Sequence, residues 1–124
     1  MLQLSHKKLD VYQIALKLVK EVYQLTNTFP TEERYTLVSQ LRRAAISVCS
    51  NIAEGSARAS KLEKKRFYEI SRSSIVEVDT QIEISMIIDY LTTNQITELE
   101  QYLESTFRML SKMISNLETA TITK

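Results

Sequence analysis

The chain has 124 residues, 44% of them hydrophobic and 25% charged, which is one domain's length with apolar material for a single core. One glycine and one proline leave almost nothing for tight turns or bulges, so the composition favours an all-α fold over a sheet. A formal net charge of +1 excludes a globally basic nucleic-acid binder, so any phosphate-binding surface must come from local clustering.

In chain order, residues 1–8 read as a loose arm that carries His6, Lys7 and Lys8. A first helix is predicted over about 9–27. Asp10 suits its positive end, and Val11, Ala15, Leu18, Val22 and Leu25 recur at steps of four and three. The only proline, Pro30, turns the chain. A second helix is predicted over about 32–57, with Thr31 as N-cap and Glu32 and Glu33 in the first turn. Its apolar face is Leu41, Ala44, Ala45, Val48 and Ile52, and a polar stripe of Gln40, Arg43, Ser47, Asn51 and Glu54 runs beside it. The small residues among these keep the helix surface low enough for a neighbour to approach closely. Gly55 is the natural place for this helix to end or bend.

Ser60 to Glu63 fits the capping box S-x-x-E and starts a third helix, predicted over about 61–91. Its length is roughly 45 Å at 1.5 Å per residue. The seam is read as Phe67, Ile70, Ser74, Val78, Gln81, Ile84 and Ile88. Thr93 or Asn94 then caps a fourth helix over about 95–118, with Ile96, Leu99, Leu103, Leu110, Met113 or Ile114, and Leu117 inward, and 119–124 frayed. Four amphipathic helices with short links predict a single-domain, up-down-up-down antiparallel four-helix bundle.

That topology would sort charge along the bundle. Lys7, Lys8, Arg58, Lys61, Lys64, Lys65, Arg66 and Lys124 gather at one end, with only Asp10, Glu54, Glu63 and Glu118 against them. The other end holds Glu32, Glu33, Asp89, Glu98 and Glu100, with Arg34. The basic end is either a phosphate-binding surface or an ordinary solvated one without interleaved aromatics for base stacking. Between the second and third helices, Arg42 and Arg43 fall near Glu69 and Glu77, and Ser74 and Gln81 lie in the seam. Interhelical ion pairs are the simplest reading, with a ligand contact or a subunit contact as alternatives. Asn51 and Glu54 would tie the second helix to the third or to a neighbouring subunit.

Catalytic chemistry has little to work with. The only histidine, His6, precedes the first helix, so Glu-x-x-His metal pairs, a zinc cluster and a His-activated nucleophile all lack members. One glycine cannot build a phosphate loop. Glu77 and Asp79 are two apart on a helix and face different ways. No enzyme activity, cofactor or metal is expected. Cys49, the only cysteine, cannot form an intrachain disulfide and suits a buried place in a reducing compartment. The stretch LSHKKLD lacks a signal peptide's apolar core, and no apolar run approaches the length of a membrane span, so a cytoplasmic protein with no membrane contact is expected.

The stretch 39–55, SQLRRAAISVCSNIAEG, closely resembles the signature of the 23S ribosomal RNA intervening-sequence proteins, S-Q-L-R-R-A-A-x-S-I-x-S-N-I-A-E-G, with Val48 in place of isoleucine. The segments 9–30, LDVYQIALKLVKEVYQLTNTFP, and 77–81, EVDTQ, extend the resemblance over about 5–92. It implies a four-helix bundle that assembles as a ring-like homopentamer. A related branch serves as accessory subunits of retroelement reverse transcriptases and is usually strongly basic, unlike this chain. Together, residues and resemblance point to a non-enzymatic homo-oligomeric bundle that binds structured RNA or DNA through its basic end. The alternative is a protein–protein adaptor, such as a reverse-transcriptase accessory subunit.

Overall fold

The computed structural model describes residues 1–122, so Lys124 lies outside the described residues. Four helices make up the fold: α1 (Asp10–Thr26), α2 (Leu37–Ala57), α3 (Lys61–Ile87) and α4 (Thr97–Ile122). Single 3₁₀ turns at Ser5–Lys8, Thr31–Glu33 and Thr93–Ile96 precede α1, α2 and α4. No strand occurs among the described residues. The fold is an all-α four-helix bundle in which α1 packs on α2 and α4, and α3 packs on α2 and α4.

The cross-helix pairs give the chain directions. Ser71 Oγ donates to the Val48 carbonyl at 2.8 Å, Ser74 Oγ meets Ser47 Oγ at 2.9 Å, and Ser56 Oγ meets Tyr68 Oη at 3.1 Å. As α3 advances the partner on α2 recedes, so the two helices are antiparallel. Lys65 to Glu118 and Arg72 to Ser111 give α3 and α4 the same opposed sense.

The α1 and α2 seams lie where periodicity puts them. Val11, Ala15, Leu18 and Val22 are buried, as are Leu41, Ala44, Ala45, Val48, Cys49 and Ile52. Leu25 is half-buried, and Thr26 takes the next inward place. Gly55 does not end α2, which runs two residues further. It is buried, and a Cβ there would stand 2.7 Å from Tyr68 Cε1 and 3.1 Å from Phe67 Cβ. This glycine is required for close approach of α3, not for backbone freedom.

Four boundaries differ from the sequence reading. Helix α2 starts at Leu37 rather than near Glu32, because the Thr31–Glu33 turn is pinned separately. The Glu33 carboxylate accepts from the Thr36 hydroxyl at 2.7 Å and the Tyr90 hydroxyl at 2.8 Å, and Phe29 packs on the Tyr90 ring at 5.2 Å. Helix α3 stops at Ile87, where Asp89 adopts φ 65°. Tyr90 N–H returns to the Ser85 carbonyl at 2.8 Å and Asp89 N–H to the Met86 carbonyl at 3.0 Å, a Schellman closure with aspartate where glycine is usual. Thr92, not Thr93 or Asn94, forms a capping box with Gln95 that opens the turn leading into α4, and α4 passes 118 to reach Ile122.

The α3 seam is also corrected. Tyr68, Ser71, Ser74, Ile75, Val78, Ile82 and Ser85 are buried, while Ile70, Ile84 and Ile88 are exposed and Gln81 is half-buried. Small serines let α3 settle onto the Ala/Ser/Gly surface of α2, which a line of isoleucines would hold away. Ser60 begins α3 as expected, its Oγ accepting from Glu63 N–H at 3.0 Å.

Candidate functional site

The expected basic end is built from the Ser5–Lys8 turn, the α2–α3 junction and the start of α3. Much of its charge is engaged locally. Lys64 Nζ donates to the carbonyls of Ser56 at 3.0 Å and Gly55 at 3.4 Å, which satisfies the negative C-terminal end of α2. Arg58 pairs with Glu54 at 2.8 Å and lies 4.8 Å from the Phe67 ring centroid. Lys65 reaches Glu118 at 3.6 Å, Lys7 donates to the Leu2 carbonyl, and Lys61 is also engaged. Lys8 and Arg66 stand exposed. The arm is docked, not loose: His6 is buried with its ring edge-on to Tyr12 at 4.7 Å, beside Ala53 and Ser56 of α2.

The polar residues between α2 and α3 are placed differently from the ion pairs expected of them. Arg42 turns toward α1. Its Nε donates to Thr26 Oγ1 and its Nη2 to Asn27 Oδ1, both at 3.0 Å, and the guanidinium lies 4.3 Å from the Tyr23 ring centroid. With Nη2 also 3.4 Å from the Tyr23 carbonyl, Arg42 closes the C-terminus of α1. Asn51 bonds within its own helix, to the Ser47 carbonyl at 2.9 Å and Ser47 Oγ at 3.0 Å, and Ser47 in turn meets Ser74. Glu54 serves Arg58. Arg43 and Glu77 are exposed on the rim of a polar groove with Gln40 and Gln81. Gln81 Nε2 approaches Gln40 Oε1 at 3.5 Å, while Gln81 Oε1 is buried with no hydrogen-bond partner among the described residues.

Two further surfaces escaped the sequence reading. A groove of about 440 Å³ between α3 and α4 has Ile75, Val76, Leu103 and Phe107 as its apolar lining. Asp79, Glu100 and Glu104 rim it, against Arg108. A second groove, about 430 Å³, lies where α1 meets the start of α2. Arg34, Arg42 and Arg43 line it with Tyr23, Tyr35, Val38 and Ile46, and no carboxylate does. The signal for both was the surplus of apolar side chains on α3 and in the α1–α2 link after one seam per helix is filled.

Titration follows these contacts. Hydrogen bonds from Thr36 and then Tyr90 hold Glu33 below the usual carboxylate range, and the same Glu33 contact holds Tyr90 above its ordinary value. Burial and then repulsion from Glu98 raise Glu21, a sign of how closely acids crowd the end opposite the lysines. Burial pushes the Cys49 thiol up to about 11, which keeps it protonated and unreactive. Among the described residues no three His, Cys, Asp or Glu side chains group to hold a metal, and no helix is long and apolar enough to cross a membrane.

A model of the family described as 23S rRNA-intervening sequence protein matches residues 7–112. Among solved structures, the chain is similar to a 1.70 Å crystal structure of a protein of unknown function from the S23 ribosomal protein family of Bacteroides thetaiotaomicron. The two are 18% identical with a TM-score of 0.77, over 84% of this chain and 97% of that one, a likeness of fold. No curated protein matches the chain.

Proposed function

The chain belongs to the 23S rRNA-intervening sequence protein family, and we propose that it is a non-enzymatic cytoplasmic scaffold that works by associating with itself. One observation carries this reading. The outer side of α3 and the adjoining part of α4 leave large apolar side chains in water: Val76 at 51%, Ile84 at 44%, Ile87 at 74% and Phe107 at 42% exposure. Apolar groups arrayed along one side of a bundle mark a surface that another surface covers. Light scattering on the eluted protein tests it: the expected mass is a multiple of the 14.3 kDa chain, five being the number the family resemblance implies. A 14.3 kDa particle at high concentration would remove the reading.

A second reading, RNA or DNA binding at the basic end, is favoured by the exposed Lys8 and Arg66 beside the docked arm. Multivalent display on an oligomer would strengthen such contacts. If it holds, Lys8→Glu with Arg66→Glu weakens binding to a labelled structured RNA at low salt and flattens its salt dependence. Unchanged binding by that variant leaves the self-associating adaptor alone.

A further inference from the structure

The proposed self-association leaves open which surfaces meet. The helices pack in the cyclic order α1, α2, α3, α4, so the α1/α2 groove and the α3/α4 groove lie on opposite sides of the bundle. They also lie at one height. Ser47 touches Ser74 across the α2/α3 contact, and Arg43 shares a groove with Glu77. Arg43 and Ile46 of the first groove are therefore level with Ile75 to Asp79 of the second. The two are opposite in sign: three arginines and no carboxylate line one, and three carboxylates against one arginine line the other. Each also offers exposed apolar surface, Tyr35 and Ile46 on the basic side, Val76 and Phe107 on the acidic side.

We propose that the basic α1/α2 groove of one copy seats against the acidic α3/α4 groove of the next, a head-to-tail contact between bundles standing side by side. Charge complementarity sets the pairing and disfavours like-with-like contacts, since two copies of either groove would face the same sign. Apolar contact at Tyr35, Ile46, Val76 and Phe107 supplies the water exclusion a stable interface needs. Because the grooves are level, successive copies join without sliding along the bundle axis, and the array grows by rotation about a parallel axis. Arg43 lines the polar α2/α3 groove as well, so the contact would reach the edge of that groove and leave Glu77 and Gln81 beside it.

This inference rests on the self-association reading, and complementation between two crippled copies separates the two. One variant, Tyr35→Ser with Ile46→Asn, removes the apolar part of the basic groove. The other, Val76→Lys with Glu104→Lys, reverses the acidic one. All four sites are exposed, so each variant should keep the parental circular dichroism and melting profile. Each alone should elute as a 14.3 kDa monomer, and a 1:1 mixture should give a particle of twice that mass and nothing larger, because only one good groove remains on each partner. A mixture that stays monomeric overturns the pairing. An assembled parent whose Tyr35→Ser, Ile46→Asn variant assembles equally well also overturns it, leaving self-association through another face. A monomeric parent overturns both.

Discussion

Gly55→Ala is the most direct test of how α2 and α3 are held together. In an isolated helix the change would be favourable, since alanine exceeds glycine by about 1 kcal/mol in a helix interior. Here the new methyl would stand 2.7 Å from Tyr68 Cε1, 2.9 Å from Tyr68 Cδ1 and 3.1 Å from Phe67 Cβ. Neither neighbour yields cheaply. The Tyr68 ring is buried and its hydroxyl is held by Ser56 at 3.1 Å, and Phe67 Cβ moves only with the α3 backbone. Overpacking of this kind costs about 1–3 kcal/mol, so after the helix gain the net loss reaches about 2 kcal/mol. For a chain of this length that lowers the melting temperature by up to about 10 °C. Urea unfolding read by circular dichroism should show a lower midpoint at unchanged slope. Tyr68→Leu supplies the control. With the ring gone, Gly55→Ala should become neutral or stabilising, a change of sign only the steric account predicts. A stabilising Gly55→Ala in the parent would refute the close-approach argument.

Other contacts make similarly sharp predictions. Arg42→Ala should destabilise by about 1–2 kcal/mol through loss of its bonds to Thr26 and Asn27 and its stacking on Tyr23; Arg42→Lys should restore little, since lysine lacks the planar fork. Asp89→Gly should stabilise by roughly 0.5–1 kcal/mol in urea titration by relieving the positive φ at the end of α3. Glu33 is depressed in the folded state, so its contribution is present above the ordinary carboxylate range and lost as pH falls through its lowered value. The melting-temperature gap between parent and Glu33→Gln should therefore close on acidification, and a gap that widens would contradict the Thr36 and Tyr90 contacts. With its thiol raised to about 11, Cys49 should react with a disulfide reagent near pH 8 far more slowly in the native protein than in denaturant.

Elements set by local chemistry could be read from the sequence. Ser60 caps α3 because its partner, the Glu63 N–H, is three residues away, and α1 and α2 each carry one dominant apolar stripe. Helix α3 does not. Tyr68, Ile75 and Ile82 recur every seven residues, and so do Phe67, Ser74, Gln81 and Ile88 in the adjacent phase. Periodicity cannot choose between such phases; the low surface of α2 does, by admitting Ser71 and Ser85 and turning Ile70 and Ile84 outward. Arg42 was misplaced for a related reason. A long side chain on the edge of a face can reach either neighbour, and the open acceptors at the end of α1 decide the matter. The basic end was legible as a cluster but not in its availability. The α2–α3 link is short enough to bring Lys64 onto the carbonyls of Gly55 and Ser56.

The inversion in α3 bears on what the protein is for. Putting Ile70, Ile84 and Ile88 inside and Ser71 and Ser85 outside would bury three isoleucines, each worth on the order of 1.5–3 kcal/mol, but would turn Tyr68, Ile75 and Ile82 toward water in exchange. The fold takes the other arrangement. Its serines are buried at no polar loss, because Ser71 donates to the Val48 carbonyl and Ser85 to the Gln81 carbonyl. The isoleucines are left outside, where nothing within the chain covers them fully. Within one bundle that choice keeps Tyr68, Ile75 and Ile82 buried and α3 close to α2 at Gly55. On the proposed self-association, a second surface over the outer side of α3 would cover the isoleucines that this arrangement leaves outside.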